Sequence, residues 1–248
     1  MKKSVKLLLL SLAMVPVVFG QSIVTDRPDF TESTTVVSFR KIQIESGCEY
    51  AAFTSLEQFS FPNTLLRIGL GRQLEARLGF SGWTNDVLDN HSSTYLDDMA
   101  LEAKYHITGM EAKVPLAIVL GSTLPTGDNQ VRAEAPEMGA KFAAAYDLSA
   151  IVSLSSNLGA ISVDSYGKRK WHYLSSLSMG INISDRLGSF VEMYAEYPPD
   201  QAWQPALDCG ITYLLHRNAQ VDFYINKGLY EDAANVIIGS GFAFRFDY

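Results

Sequence analysis

Downstream of residue 36, apolar side chains recur at every second position, the period of a strand with two unlike faces rather than the 3.6 of a helix. In the final block Val236, Ile238, Ser240, Phe242, Phe244, Phe246 and Tyr248 fall on one face, and Ile237, Gly239, Gly241, Ala243, Arg245 and Asp247 on the other. The same contrast sets Met99, Leu101, Ala103, Tyr105 and Ile107 against Ala100, Glu102, Lys104 and His106. It sets Leu207, Cys209, Ile211, Tyr213 and Leu215 against Asp208, Gly210, Thr212 and Leu214, and Val221, Phe223 and Ile225 against Asp222, Tyr224 and Asn226. Further blocks lie near 40–53, 62–71, 73–82, 114–124, 136–147, 150–159, 171–183 and 187–197, so the pattern predicts twelve strands.

The links between these blocks alternate in length. Tight ones fall at 71–73, 108–113, 147–150, 184–186 and 216–219; longer, polar ones fall at 54–61, 83–97, 125–135, 160–170, 198–205 and 227–234. A soluble sandwich also alternates apolar and polar positions, but it has no reason to sort its loops by parity. Bacterial outer-membrane barrels do sort them, with an even strand count, short periplasmic turns and longer extracellular loops. The fold class expected is therefore all-β: an antiparallel transmembrane β-barrel of twelve strands, with its apolar face toward lipid. Lipid offers no hydrogen bonds, so a spanning sheet must close and leave no edge. Phe53, Trp83, Trp171, Tyr173, Tyr197 and Trp203, near strand ends, suit the interfacial girdles of such a barrel.

The start of the chain fits export to that membrane. Lys2, Lys3 and Lys6 precede an apolar run from Leu7 to Val18, and Val18-Phe19-Gly20 puts small residues three and one before a cut. This is the layout of a secretory signal, and the run is too short to span a bilayer as a helix. Residues 1–20 are read as a removed signal peptide, 21–35 as an N-terminal periplasmic or lumen-facing segment, and 36–248 as the barrel. Gln21 at the new terminus argues against an acylated start. Without the three leader lysines, 17 Lys+Arg face 27 Asp+Glu, a net charge of −10 that speaks against nucleic acid as a partner. Cys48 and Cys209 lack CxxC spacing and fall on non-adjacent strands, so both are expected to be free thiols.

If the apolar face meets lipid, the opposite face lines the lumen. It carries Glu45, Glu49, Arg67, Glu75, Arg77, Glu102, Lys104, Lys141, Glu192, Asp208, Asp222 and Arg245, candidates for a polar path and equally for cross-strand ion pairing. The segment from Thr25 to Ser33, with Asp26, Arg27, Asp29 and Glu32, precedes the first strand and is a candidate plug or gate, or a cap that closes the barrel.

Chemistry of other kinds finds little support. A serine hydrolase needs a positioned base and an orienting partner; His91 beside Ser92 and Ser93 sits in a long polar link, His106 near a turn and His216 in one, and no such constellation with these or His172 emerges. Asp86, Asp89, Asp97 and Asp98 crowd one link and could hold a hard cation weakly, but read better as a solvated loop. The pairs Gly69/Gly71 and Gly239/Gly241 stand at strand period and open no helix, so they are not phosphate cradles and are expected to let strands bend. No catalytic residue, metal site or cofactor is expected.

The segment Thr25-Asp26-Arg27-Pro28-Asp29-Phe30-Thr31-Glu32-Ser33 resembles the opening signature of the phenol meta-pathway (MetA) degradation family. Leu101-Glu102-Ala103-Lys104-Tyr105, Gly121-Ser122-Thr123-Leu124-Pro125-Thr126-Gly127 and Tyr146-Asp147-Leu148-Ser149 follow in order. Asn157-Leu158-Gly159, Asp185-Arg186-Leu187 and Asp208-Cys209-Gly210-Ile211-Thr212-Tyr213-Leu214-Leu215 complete the series, which covers nearly all of the mature chain. Cys209 departs from the small or apolar residue expected there, and the stretch from Gly82 to Asp97 matches no motif. The resemblance implies an outer-membrane barrel of a Gram-negative-type bacterium, with outer-membrane lipid and small, often hydrophobic or aromatic solutes as partners. The function expected is a passive channel or uptake protein; the other reading is a structural or adhesive barrel without transport.

Overall fold

The computed structural model describes residues 22–89, 91–109, 111–165 and 167–248. The leader expected over residues 1–20, and Gln21, lie outside the described residues. The strands are β1 (Lys41–Ala52), β2 (Leu56–Gly69), β3 (Leu74–Phe80), β4 (Trp83–Leu88), β5 (His91–Leu96), β6 (Met99–His106) and β7 (Leu116–Leu124). They continue as β8 (Glu137–Asp147), β9 (Val152–Ser165), β10 (Lys168–Asn182), β11 (Leu187–Tyr197), β12 (Gln204–His216), β13 (Ala219–Gly228) and β14 (Val236–Asp247). Twelve of them form a closed antiparallel ring that omits β4 and β5. Closure is complete along the seam, where β14 pairs back to β1 from Lys41 opposite Asp247 to Ala52 opposite Val236. No open edge remains in the ring, as hydrocarbon requires.

The two extra strands correct the expected loop over 83–97. β4 and β5 pair as a hairpin, and β4 also pairs with the first half of β2, Leu56 opposite Leu88 through Phe61 opposite Trp83. β3 takes the second half of β2, Thr64 opposite Phe80 onward. One long ribbon thus bends at Ser81 and Gly82, where Gly82 has a φ of 79° that a side chain would resist. Two other long links shrink for a related reason. Residues 56–61 belong to β2, and β9 and β10 run to Ser165 and from Lys168, so most of 160–170 is strand. Ladder hydrogen bonds continue past the membrane, where nothing demands an apolar face. The link between β6 and β7 is longer than expected, spanning 107–115.

Burial is inverted relative to a water-soluble protein. The largest fully buried side chains are Arg67, Lys104, Gln43, Glu45, Glu75, Glu192 and Asn157, whereas Leu158 is 63%, Met138 60%, Phe142 55% and Phe242 51% exposed. Apolar surface in water costs roughly 25 cal/mol per Å², so this outer wall is stable only against acyl chains. Trp83, Trp171, Tyr173, Tyr197 and Trp203 are all half-exposed at the long-loop end, an aromatic girdle. Cys48 and Cys209 are free. No helix among the described residues is long and apolar enough to cross a membrane.

Candidate functional site

Residues 22–38 have no ladder of their own and thread through the interior of the ring. Their backbone amides must still be satisfied, and the strand walls supply acceptors. Ile23 N donates to Arg217 O at 2.8 Å, at the short-turn end. The amides of Asp26 and Arg27 donate to Glu45 Oε2 on β1 at 3.0 and 3.1 Å. Phe30 N donates to Glu192 on β11 at 2.7 Å, and Glu32 N to Asn157 Oδ1 on β9 at 2.8 Å. Thr31 Oγ1 bonds to both Glu192 and Ser176. The segment then returns to the other side, where His106 Nδ1 lies 2.8 Å from Thr34 O and Val37 N donates to Glu75 at 2.6 Å.

Two carboxylates of the segment enter a nest of wall cations. Asp26 Oδ2 lies 2.6 Å from Lys104 Nζ, 3.1 Å from Arg67 and 3.4 Å from Arg77. Glu32 pairs with Arg77, with Lys141 at 2.7 Å and with Lys104 at 3.4 Å. Glu45, Glu75 and Glu102 complete the charge balance: Arg67 reaches Glu45 at 2.9 Å and Glu75 at 3.0 Å, and Arg77 reaches Glu102 at 3.3 Å. Burial alone would raise the Asp26 carboxyl, but the Arg67, Lys104 and Arg77 charges outweigh it and hold it well below the usual range. Burial is likewise overcome for Glu32 by Arg77, Lys141 and Lys104. Paired and hydrogen-bonded in this way, buried charge is tolerable; stripped of a partner it is not.

Arg27 docks on the closure seam. Gly47 and Gly241 stand opposite each other in register, and a Cβ on either would lie 2.5 or 2.7 Å from the Arg27 guanidinium. The guanidinium bonds Asp222 on β13 at 3.2 Å and lies 5.9 Å from the Tyr224 ring centroid. A Cβ on Gly239 would fall 2.2 Å from the Tyr224 ring, whose hydroxyl bonds Glu49, and one on Gly69 would fall 2.1 Å from Ser38 O. Three of the four singled-out glycines thus give room to the segment or to a side chain beside it, and Gly71 has nothing near it. Phe30 adds an apolar anchor, stacked on Tyr194 at 4.3 Å with planes 7° apart.

A cavity of about 1010 Å³ opens at the short-turn end, lined by Thr34, Val36, Phe39, Arg72, His106 and Tyr146 among others. A second, of about 100 Å³, lies toward the long-loop end between β6 and β10, lined by Glu102, Val119, Gly121, Gly139, Lys141 and Leu174 among others. The ion pairs around Glu32 stand between them. Inward positions of β7 and β8 are mostly small and neutral, Ala117, Val119 and Ala143 being buried, with Lys141 of β8 the charged exception that reaches Glu32.

Of the lumen candidates, Glu45, Arg67, Glu75, Arg77, Glu102, Lys104, Lys141, Glu192 and Asp222 contact the segment or its ion pairs, and Glu49 contacts Tyr224. Arg245 reaches Ser22 O and Asn218 at the short-turn end. Asp208 is buried on β12. The link aspartates do not converge: Asp86 bonds Gln58 and Tyr95, Asp97 bonds Thr84, and Asp98 takes the amides of Gly127 and Ala133. Uncharged wall residues carry much of the docking, namely Gln43, Asn157, Ser176, Ser178 and Tyr194. Their sequence signal is strand period alone: Gln43, Ser176, Ser178 and Tyr194 share the parity of a charged neighbour on their strands, and Asn157 has no charged residue of its parity on β9.

A family model described as "Putative MetA-pathway of phenol degradation" matches residues 25–246. Among solved structures, the fold is similar to an outer membrane channel from Pseudomonas putida F1, with a TM-score of 0.68 and 14% identity over 90% of this chain and 100% of that one. It is also similar to the KdgM porin in complex with disordered oligogalacturonate, with a TM-score of 0.58 and 7% identity over 82% of this chain and 99% of that one. The NanC porin gives a TM-score of 0.54 and 10% identity, covering 82% and 98%. No curated protein sequence matches the chain.

Proposed function

The chain belongs to the family of the MetA-pathway of phenol degradation, and on that premise we propose that it is a passive channel of the bacterial outer membrane, gated by its own N-terminal segment. The observation that carries this reading is the ion-pair belt of Asp26 and Glu32 with Arg67, Arg77, Lys104 and Lys141, set between a cavity toward each mouth of the barrel. The segment fills the bore but lies outside the strand ladder, so its departure would leave the closed ring intact. Residues 1–20 serve as the export signal, and the charged lumen residues hold the segment as a plug.

The solutes are small and uncharged, in keeping with the family's description. On β7 and β8, Ala117, Val119, Gly121 and Gly139 give a strip of small neutral positions, interrupted by Lys141 where it holds Glu32. Purified protein in liposomes, tested for uptake of phenol, toluene and small aliphatic alcohols, distinguishes the readings. Uptake above protein-free vesicles is expected; vesicles as tight as the controls would favour a structural or adhesive barrel.

A further inference from the structure

The charges of the interior are not balanced on every side. Interior ion pairs among the described residues use Asp26, Glu32, Glu45, Glu75, Glu102 and Asp222. Asp29, Glu49, Glu192 and Asp208 take part in none, and Glu192 and Asp208 lie on β11 and β12, across the ring from Arg67, Arg77 and Lys104 on β2, β3 and β6. Glu192 faces Asp208 directly across β11 and β12, and Asp208 faces Asn226 directly across β12 and β13. Like charges opposite one another in a ladder repel, and in an enclosed space an unpaired carboxylate must find a proton or a cation. Burial and the neighbouring Glu192 push the Asp29 carboxyl well above its ordinary range, a sign of the same excess.

Two oxygens in this row have no partner. Asp208 Oδ1 and Asn226 Oδ1 are buried without a hydrogen bond, on residues only 4% and 5% exposed. Asn226 spends its amide nitrogen on Tyr194 Oη at 2.7 Å, which leaves its carbonyl oxygen uncommitted. Glu192 already accepts from Phe30 N and Thr31. Carboxylate and amide oxygens without nitrogen or sulfur are the donor set of hard cations.

We propose that Asp208, Asn226 and Glu192 form a binding site for a hard cation of the calcium class, facing the barrel interior behind Phe30. The cation would neutralise the Glu192–Asp208 row and supply the missing partner of both orphaned oxygens. Because Glu192 also holds the Phe30 amide, occupancy would tighten the segment. This does not depend on which solutes the barrel passes, and its test reads binding rather than flux.

The test is calcium binding to the purified full chain in detergent, by calorimetry and by equilibrium dialysis. One calcium per chain is expected, weakened about tenfold or more in Asp208→Asn and in Asn226→Ala, since ligand number and charge set affinity. Glu111→Gln, at an exposed turn, should bind as the parent does. Calcium should also raise the unfolding temperature of the parent and not that of Asp208→Asn, whose fold is verified by its heat-modifiable band. Absence of calcium uptake by the parent overturns the proposal; it would mean that the Asn226 amide is reversed and donates to Asp208, or that protons neutralise the row. Unchanged binding in both variants overturns it equally.

Discussion

Asp26 Oδ2 lies 2.6 Å from Lys104 Nζ, joining a residue outside the ladder to the wall of β6 with both groups shut away from solvent. Asp26→Asn keeps the shape and removes the charge, leaving Lys104 and Arg67 short of a partner. Breaking a buried pair costs about 3–5 kcal/mol. The variant should unfold at a lower temperature, followed by the heat-modifiable band, and should conduct more often than the parent in planar bilayers.

Acid should have a related effect. The carboxyls of Asp26 and Glu32 are held below their ordinary values of 3.8 and 4.5, so their contribution to docking is complete above those values and is lost as pH falls through the depressed ones. Asp29 works in the opposite direction: its raised carboxyl favours docking below 3.8 and loses that contribution as pH rises. Asp29 regains its contribution on acidification while the two ion-paired carboxyls lose theirs only further down, so conductance should rise in the parent at about pH 2 rather than at about 4, and should respond less in a double Asp26→Asn, Glu32→Gln variant. A flat parent trace would contradict the ion-pair account.

Gly239 should tolerate a methyl only when Tyr224 is truncated. A Cβ there meets the ring at 2.2 Å, and overpacking typically costs about 1–3 kcal/mol. Gly239→Ala should destabilise the barrel by that order, and much less in a Tyr224→Ala background. Thermal midpoints of the four members of the cycle measure the coupling, and additive effects would refute the contact.

Phe142, mid-strand on β8 and 55% exposed, faces lipid. Phe142→Arg should cost about 2–4 kcal/mol, the range for a cation at the bilayer midplane of a barrel, while leaving conductance unchanged. Urea unfolding in phospholipid vesicles reads the loss; equal stability would place the side chain away from hydrocarbon.

The ring strands and their facing were legible because lipid on one side and an enclosed space on the other force a strict period of two. The alternation of Val236 to Tyr248 maps directly onto β14. The β4 and β5 hairpin was not legible: Asn85, Asp86, His91, Ser92 and Ser93 show no apolar face, since nothing outside the membrane requires one. The block expected from residue 62 begins at Pro62, yet β2 starts at Leu56 and Pro62 lies inside it, where its partner switches from β4 to β3. The period also puts Arg67, Glu75 and Lys104 on one face, but the meeting of Asp26 with Arg67 and Lys104 depends on three-dimensional closure that spacing does not encode. The room that Gly241 leaves for Arg27 was not legible for the same reason, and that Gly239 faces Tyr224 depends on the register of β13 with β14.

The most direct measurement is single-channel conductance of the parent beside a chain lacking residues 22–33, both refolded and shown heat-modifiable. A channel closed by its own leading segment should show small or rare openings in the parent and a large, steady conductance after the deletion. Equal traces from the two proteins would contradict it.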